Sequence, residues 1–169
     1  MTTRKTILLG AVFTLLLSLT TFSEAQTMKN EELNAKQQSI IPIAAFTAQG
    51  NMEKLKTALN DGLDAGLTVS DIKEVLVQLY AYTGFPRSLN GINAFMGVME
   101  ERGKKGIKDN PGKEPGPMPA GKNSIELGED IQTRLVGKPV TGAIYTFTPA
   151  IDQFLKGHLF GDIFGRDNL

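Results

Sequence analysis

The sequence predicts an all-α protein, and three observations carry that expectation. Residues 34–104 divide at cap and stop signals into four segments. In each, apolar residues recur at three- and four-residue intervals, the spacing that gathers side chains on one side of a helix. The chain has no Cys, so no disulfide can staple it, and stability has to come from helix packing or from surface buried between subunits. The stretch 105–123 is dominated by Gly, Pro and Lys, which is the composition of a linker joining helical parts.

The N-terminus comes first. Arg4 and Lys5 make a basic start, Ile7 to Phe22 is an apolar run broken only by Gly, Ser and Thr, and Ser23-Glu24-Ala25 precedes Gln26 with a small-x-small pattern. This reads as a secretory signal over residues 1–25. The apolar run is shorter than the about 20 residues that a membrane span wants. No second run of that length follows, so after cleavage the expected chain is secreted or periplasmic, with no membrane attachment.

Residues 26–104 are expected to form the main helical domain. Its first helix runs from Ala35 to Gln49, with Asn34 as N-cap, Gln37 three residues on and Gly50 as the stop. Ile40, Ile41, Ala44, Ala45 and Ala48 give it a stripe. Pro42 interrupts that stripe because it lacks a backbone donor. Asn51 caps a second helix, Met52 to Ala65, which buries Leu55, Leu59 and Leu63. Thr68 and Asp71 form a capping box for a third helix, Val69 to Tyr82, with Ile72, Val75, Leu76, Leu79 and Tyr80 on its apolar side. Gly84-Phe85-Pro86 breaks the chain, and Pro86 suits the first turn of a fourth helix ending near Arg102. Leu89, Ile92, Phe95, Met96 and Met99 are its predicted stripe.

The linker 105–123 is too polar to pack a core and is expected to be exposed and mobile. In the C-terminal segment 124–169, one helix is predicted at Ser124–Leu135. A second starts at Thr148-Pro149 and runs to Lys156. Beyond it, Phe160, Ile163 and Phe164 form an apolar tail expected to lie exposed and to seek a partner surface.

The charge balance excludes some functions. Lys plus Arg and Asp plus Glu number 18 each. Removing Arg4, Lys5 and Glu24 with the signal leaves 16 basic and 17 acidic residues. That balance, with no basic stripe, argues against nucleic acid as a partner. A single His and no Cys argue against a transition-metal site. No phosphate-binding loop, dinucleotide fingerprint or nucleophile elbow is present, so no cofactor is expected.

The most specific stretch is Leu63-Asp-Ala-Gly-Leu-Thr-Val-Ser-Asp-Ile-Lys-Glu-Val-Leu-Val-Gln-Leu-Tyr-Ala-Tyr-Thr-Gly-Phe-Pro-Arg-Ser-Leu-Asn90. It resembles the signature of the carboxymuconolactone decarboxylase family, relatives of the AhpD-type peroxidases. The resemblance covers 33–102 well, and 150–169 moderately as the lead-in to a second helical repeat. It implies an AhpD-like helical bundle that self-associates, as a trimer of two-repeat chains or a hexamer of single-repeat chains. It also implies a small carboxylate or lactone as ligand. The reactive groups of relatives are missing from this repeat. The decarboxylase-type His falls on Ala58, and the peroxidase-type Cys pair falls on Asn51 and Lys54. Thiol peroxidase chemistry needs a reactive Cys and is not expected.

Five residues remain as site candidates. Glu74 is the first: the resemblance gives an acidic residue of this segment a part in moving protons, and on a helix Glu74, Gln78 and Tyr82 share one face. Tyr82, Arg87 and Asn90 flank the Gly84-Phe85-Pro86 break. There, free helix-start donors and a guanidinium suit a carboxylate substrate. His158 is the sole histidine, the side-chain type that titrates near neutrality. No neighbour that would orient it is evident in the sequence. The expected function is cofactor-free acid/base chemistry, decarboxylation or isomerisation, with Glu74 and His158 catalytic and Tyr82, Arg87 and Asn90 binding. The alternative is a non-catalytic repeat serving as an oligomerisation or ligand-binding module, which the empty Ala58 position favours.

Overall fold

Cap chemistry sets the first four helices of the structure, a computed structural model that describes residues 32–117 and 119–166. The predicted export signal lies outside those residues. Helix α1 is Ala35–Gln49. The Asn34 side chain accepts from Gln37 N at 3.0 Å, and the Gln37 side chain accepts from Asn34 N at 3.0 Å. Gly50 ends the helix at φ 72°, a conformation that favours glycine. The helix runs unbroken through Pro42. Helix α2 is Met52–Asp64, opened by a 3.1 Å bond from Lys54 N to the Asn51 side chain. Helix α3 is Val69–Thr83, opened by the reciprocal Thr68–Asp71 box. Helix α4 is Phe85–Lys104, with Pro86 in its first turn. Each such cap is worth about 1 kcal/mol.

These four helices enclose one core, built on Ile43, Leu55, Leu59, Ile72, Leu76, Phe95 and Val98. Each such side chain contributes about 1.5–3 kcal/mol when fully buried. Ala58 belongs to this core. The α2 stripe Leu55, Leu59 and Leu63 is buried as predicted.

The predicted α4 stripe needs correcting. Leu89 and Met96 are exposed, Met96 to 65 %, and the buried side of α4 is Ser88, Gly91, Phe95, Val98 and Arg102. The cause is close approach. A Cβ at Gly91 would stand 2.9 Å from Leu76 Cδ2 and 3.1 Å from Thr47 Cγ2, and Ser88 Oγ donates to the Leu76 carbonyl at 2.7 Å. Small residues therefore let α4 sit directly on α1 and α3, which turns Leu89 and Met96 outward, while Phe95 is buried and Ile92 and Met99 pack against the core as predicted.

The first half of the linker is mostly exposed, as expected, but it is tied to the start of α3. Its composition gives no core, yet it docks through its backbone. Val69 N and Ser70 N donate to the carbonyls of Asn110 and Pro111 at 2.9 and 3.0 Å, and Ser70 Oγ donates to the Lys113 carbonyl at 2.6 Å. These bonds satisfy donors at the start of α3 that a helix leaves unpaired. Arg102, buried, grips Asp109 through Nε and Nη2 at 2.9 and 2.8 Å and reaches Asp64 at 2.8 Å. The two carboxylates, Asp109 first, hold its guanidinium above its ordinary pKa against the opposing effect of burial.

Beyond the linker, α5 is Ser124–Val136, capped by an Asn123–Glu126 box. Helix α6, Ala143–Phe147, was not predicted, and α7 is Pro149–Gln153. It continues into a π-helix, Phe154–Ile163. That segment packs along α5 through glycines. A Cβ at Gly128 would stand 1.6 Å from the Lys156 carbonyl oxygen, and one at Gly161 would stand 2.1 Å from that of Ser124. This contact overturns the expected exposed tail. Ile163 is buried, and Phe160 and Phe164 are part-buried and meet edge-on at 5.3 Å. No strand occurs among the described residues.

Candidate functional site

Two cavities receive the residues with chemical potential, one against α3 and α4 and one against the π-helix. The larger has a volume of about 630 Å³. Val77 of α3 and Ile92, Phe95, Met96 and Met99 of α4 make its apolar wall. Glu74, Arg166, Lys73 and Glu114 supply its charges. Glu74 is 3 % exposed, and Arg166 holds its carboxylate with two nitrogens, Nε to Oε2 and Nη2 to Oε1, the latter at 2.6 Å. Glu74 raises the Arg166 pKa above its ordinary value, while burial works the other way. Lys73 Nζ meets Glu114 Oε1 at 2.9 Å, with both side chains half-exposed or more. Sequence reasoning missed Arg166. It stands 92 positions from Glu74, and only its place in the predicted lead-in to a second repeat marked the segment.

The smaller cavity, about 290 Å³, lies between the C-terminal end of α3, the start of α4 and the π-helix. Tyr80, Phe85, Ile151, Phe154, Leu155, Leu159 and His158 line it. His158 Nδ1 and Asp162 Oδ2 are 3.0 Å apart, one helical turn away on the π-helix. Ser124 Oγ of α5 donates to the other Asp162 oxygen at 2.5 Å. Burial works to raise the pKa of the Asp162 carboxyl. Hydrogen bonds from Ser124 and then His158 outweigh it and hold Asp162 below the ordinary carboxylate range. With Nδ1 committed to a carboxylate, Nε2 is the ring nitrogen left for proton exchange. Tyr80 stacks on Phe85 at 4.5 Å between ring centroids, and its ring lies 5.2 Å from that of His158. The Tyr80 hydroxyl is buried and meets no hydrogen-bond partner among the described residues. A buried phenol without a partner is costly. The orienting neighbour of His158 was in the sequence all along, as Asp162 four residues on.

The predicted site residues do not converge. Glu74 and His158 line different cavities. Tyr82 is 65 % exposed, and Asn90 lies at the surface. Arg87 is also exposed, and its guanidinium lies over Gly50, where a Cβ would stand 1.6 Å from Nη1. This puts a cation at the carbonyl end of α1, a favourable position on the helix dipole. None of these three lines either cavity. Among the described residues no group of three or more His, Cys, Asp or Glu is placed to hold a metal ion, and no helix is long and apolar enough to cross a membrane.

Comparison with known proteins adds one match. The model of the carboxymuconolactone decarboxylase family matches residues 15–96, from within the N-terminal apolar run to the exposed Met96 of α4. No curated protein matches the chain.

Proposed function

Since the chain carries a carboxymuconolactone decarboxylase family domain, we propose that it performs cofactor-free proton transfer on a small lactone or carboxylate-bearing carbonyl compound, in the cavity beside His158. The observation that carries this reading is that His158, 3.0 Å from Asp162 through Nδ1, lines a cavity walled by Tyr80, Phe85 and Phe154. Asp162 fixes the imidazole so that Nε2 removes a proton from the carbon next to a carbonyl. The C–H electron pair moves into an enolate, whose oxygen accepts a hydrogen bond from the Tyr80 hydroxyl. The His158 imidazolium then returns the proton at another carbon of the same conjugated system. In a decarboxylation, carbon dioxide leaves with the C–C electron pair going to the enolate, and a protonated His158 delivers its proton to that carbon. The cavity wall carries no Lys or Arg, so the reacting end is the neutral carbonyl, and a carboxylate would extend toward solvent.

The test is proton exchange. Carboxylated γ-lactones are incubated with the protein in D2O, and loss of the proton next to the carbonyl is followed by NMR. The wild type is expected to exchange it, His158→Ala to lose about 100-fold or more and Asp162→Asn about tenfold or more, with the helical circular dichroism unchanged. Equal exchange by His158→Ala would sink the mechanism.

A second reading, a non-catalytic binding or assembly module, is favoured by Ala58. The position that the resemblance gives to a catalytic His is a packed core methyl, 3 % exposed. Absence of exchange across the lactones would support it. Either reading includes self-association, as a trimer or hexamer, and export. Phe85, Leu89 and Met96 leave an apolar strip exposed on α4, and residues 1–25 have the pattern of a signal. Sedimentation analysis, and the N-terminal residue of the native protein, check these two points.

A further inference from the structure

The larger cavity plays no part in the proton chemistry above. We propose that it is a binding site for a neutral, apolar small molecule, held between α3 and α4 and closed at one side by the Glu74–Arg166 ion pair. The reasoning starts from its charges. Four charged side chains border the cavity, and they are paired with one another: Glu74 with Arg166, and Lys73 with Glu114. A charged ligand would gain a partner only by taking one from an existing pair. Taking Arg166 would strand Glu74, which is 3 % exposed, and an unpaired buried carboxylate is strongly unfavourable. The site is therefore complementary to a molecule with no charge.

The wall supports the same occupant. Leu76 and Phe95, both buried in the core, make its floor, and Met96 and Met99 flank it. Unbranched, polarizable methionines adapt to ligand shape more readily than branched side chains. A volume of about 630 Å³ falls within the range of small-molecule sites, about 300–1,000 Å³.

The site also has two straps. The docked linker brings Glu114 to its rim, and the segment after the π-helix brings Arg166. The Lys73–Glu114 pair is solvent-exposed and weak, worth about 1 kcal/mol or less, so that side can open. The Glu74–Arg166 pair is the firmer closure.

The experiment uses two probes with nearly the same aromatic body. N-phenyl-1-naphthylamine is neutral, and 1-anilinonaphthalene-8-sulfonate carries a sulfonate. Fluorescence titration of the full chain is expected to give saturable binding of the neutral probe at one per chain, and binding of the sulfonate at least tenfold weaker. Met96→Trp fills the mouth of the cavity from an exposed position and is expected to weaken the neutral probe at least tenfold with unchanged helicity. Met99→Phe provides a second block should the first variant misfold. His158→Ala lines the other cavity and is expected to bind as wild type, so failure of the proton chemistry leaves this inference standing, and the reverse. Three results would overturn it: no saturable binding, equal binding of both probes, or a neutral-probe signal that falls as the protein self-associates, which would make the cavity a contact between copies of the chain.

Discussion

Arg166 and Glu74, 92 residues apart, form a two-pronged ion pair whose carboxylate lies almost wholly out of solvent, with Nη2 to Oε1 at 2.6 Å. The pair joins the segment after the π-helix to the middle of α3. With the His158 ring against Tyr80, it is one of the contacts between the C-terminal part of the chain and α3. Glu74 is thus held in a structural ion pair, and His158 is the residue to which the proposed proton transfer is assigned.

Removing one partner should cost more than removing both. Arg166→Met leaves a buried carboxylate without a counter-charge and is expected to lower stability by about 2–3 kcal/mol, toward the lower end because Arg166 is itself partly exposed. Adding Glu74→Gln is expected to recover most of that loss. Urea unfolding of the two single variants and the double variant gives the coupling energy directly. Additive losses would mean that the two side chains do not act as a pair.

Arg102 and Asp109 pin the first half of the linker in the same way. The Asp109 side chain is 6 % exposed and meets a guanidinium that is 8 % exposed. Asp109→Ala is expected to cost about 3 kcal/mol, because Arg102 keeps only Asp64 and Asn60. Release of the segment should also free the backbone around Lys108 and Lys113, whose side chains are already exposed. Limited trypsin digestion followed by mass spectrometry is expected to cut the variant at these lysines well before the wild type. Cleavage at equal rates would show that the backbone bonds to Val69 and Ser70 hold the segment without Asp109.

The contrast between these features and the helices shows what the sequence can carry. Asn34, Asn51 and Thr68 cap helices from one to three positions away, so α1, α2 and α3 are readable from local chemistry, with ends shifted by a residue. Leu55, Leu59 and Leu63 are buried because four-residue spacing alone defines their face. The burial of α4 was readable only in part: Phe95 is buried as its spacing predicts, but Ser88 and Gly91 look polar and neutral in sequence, and only the approach of Leu76 and Thr47 makes them part of the core side. The docking of 107–114 runs partly through the carbonyls of Asn110, Pro111 and Lys113, which are the same whatever the side chain, and partly through the tertiary pairing of Asp109 with Arg102. Arg166 finds Glu74 by tertiary folding, which no local pattern encodes. His158 and Asp162 are the intermediate case: a four-residue spacing visible in the sequence, whose meaning depends on Asp162 meeting Ser124 of α5 and His158 meeting the Tyr80 ring.

Asp162 gives a pH dependence with a definite sign. Its folded-state pKa is held below the ordinary carboxylate value. A depressed carboxylate stabilises the fold fully above its unfolded pKa, about 4, and loses that contribution as pH falls through the folded value. Asp162→Asn has no such contribution to lose. Melting temperatures measured from about pH 6 to pH 2 are expected to fall more steeply below about pH 4 for wild type than for Asp162→Asn. Parallel curves would mean that Ser124 and His158 do not favour the ionised form.

The contact between α5 and the π-helix offers the sharpest structural test, because it depends on an absent atom. A Cβ at Gly128 would stand 1.6 Å from the Lys156 carbonyl oxygen and 2.8 Å from Gly161 N. Neither is the movable end of a side chain, so Gly128→Ala forces the two segments apart. Overpacking of this kind costs about 1–3 kcal/mol, and backbone neighbours put the expectation at the upper end. The displacement has a local consequence too. Ser124 lies on α5 and Asp162 on the π-helix, so their 2.5 Å bond spans the contact that Gly128 permits. Gly128→Ala is therefore expected to lower the melting temperature and to shift the imidazole resonances of His158, the only histidine in the chain, in proton–nitrogen NMR spectra. A variant that melts and resonates like wild type would show that the two segments do not pack at this distance in solution.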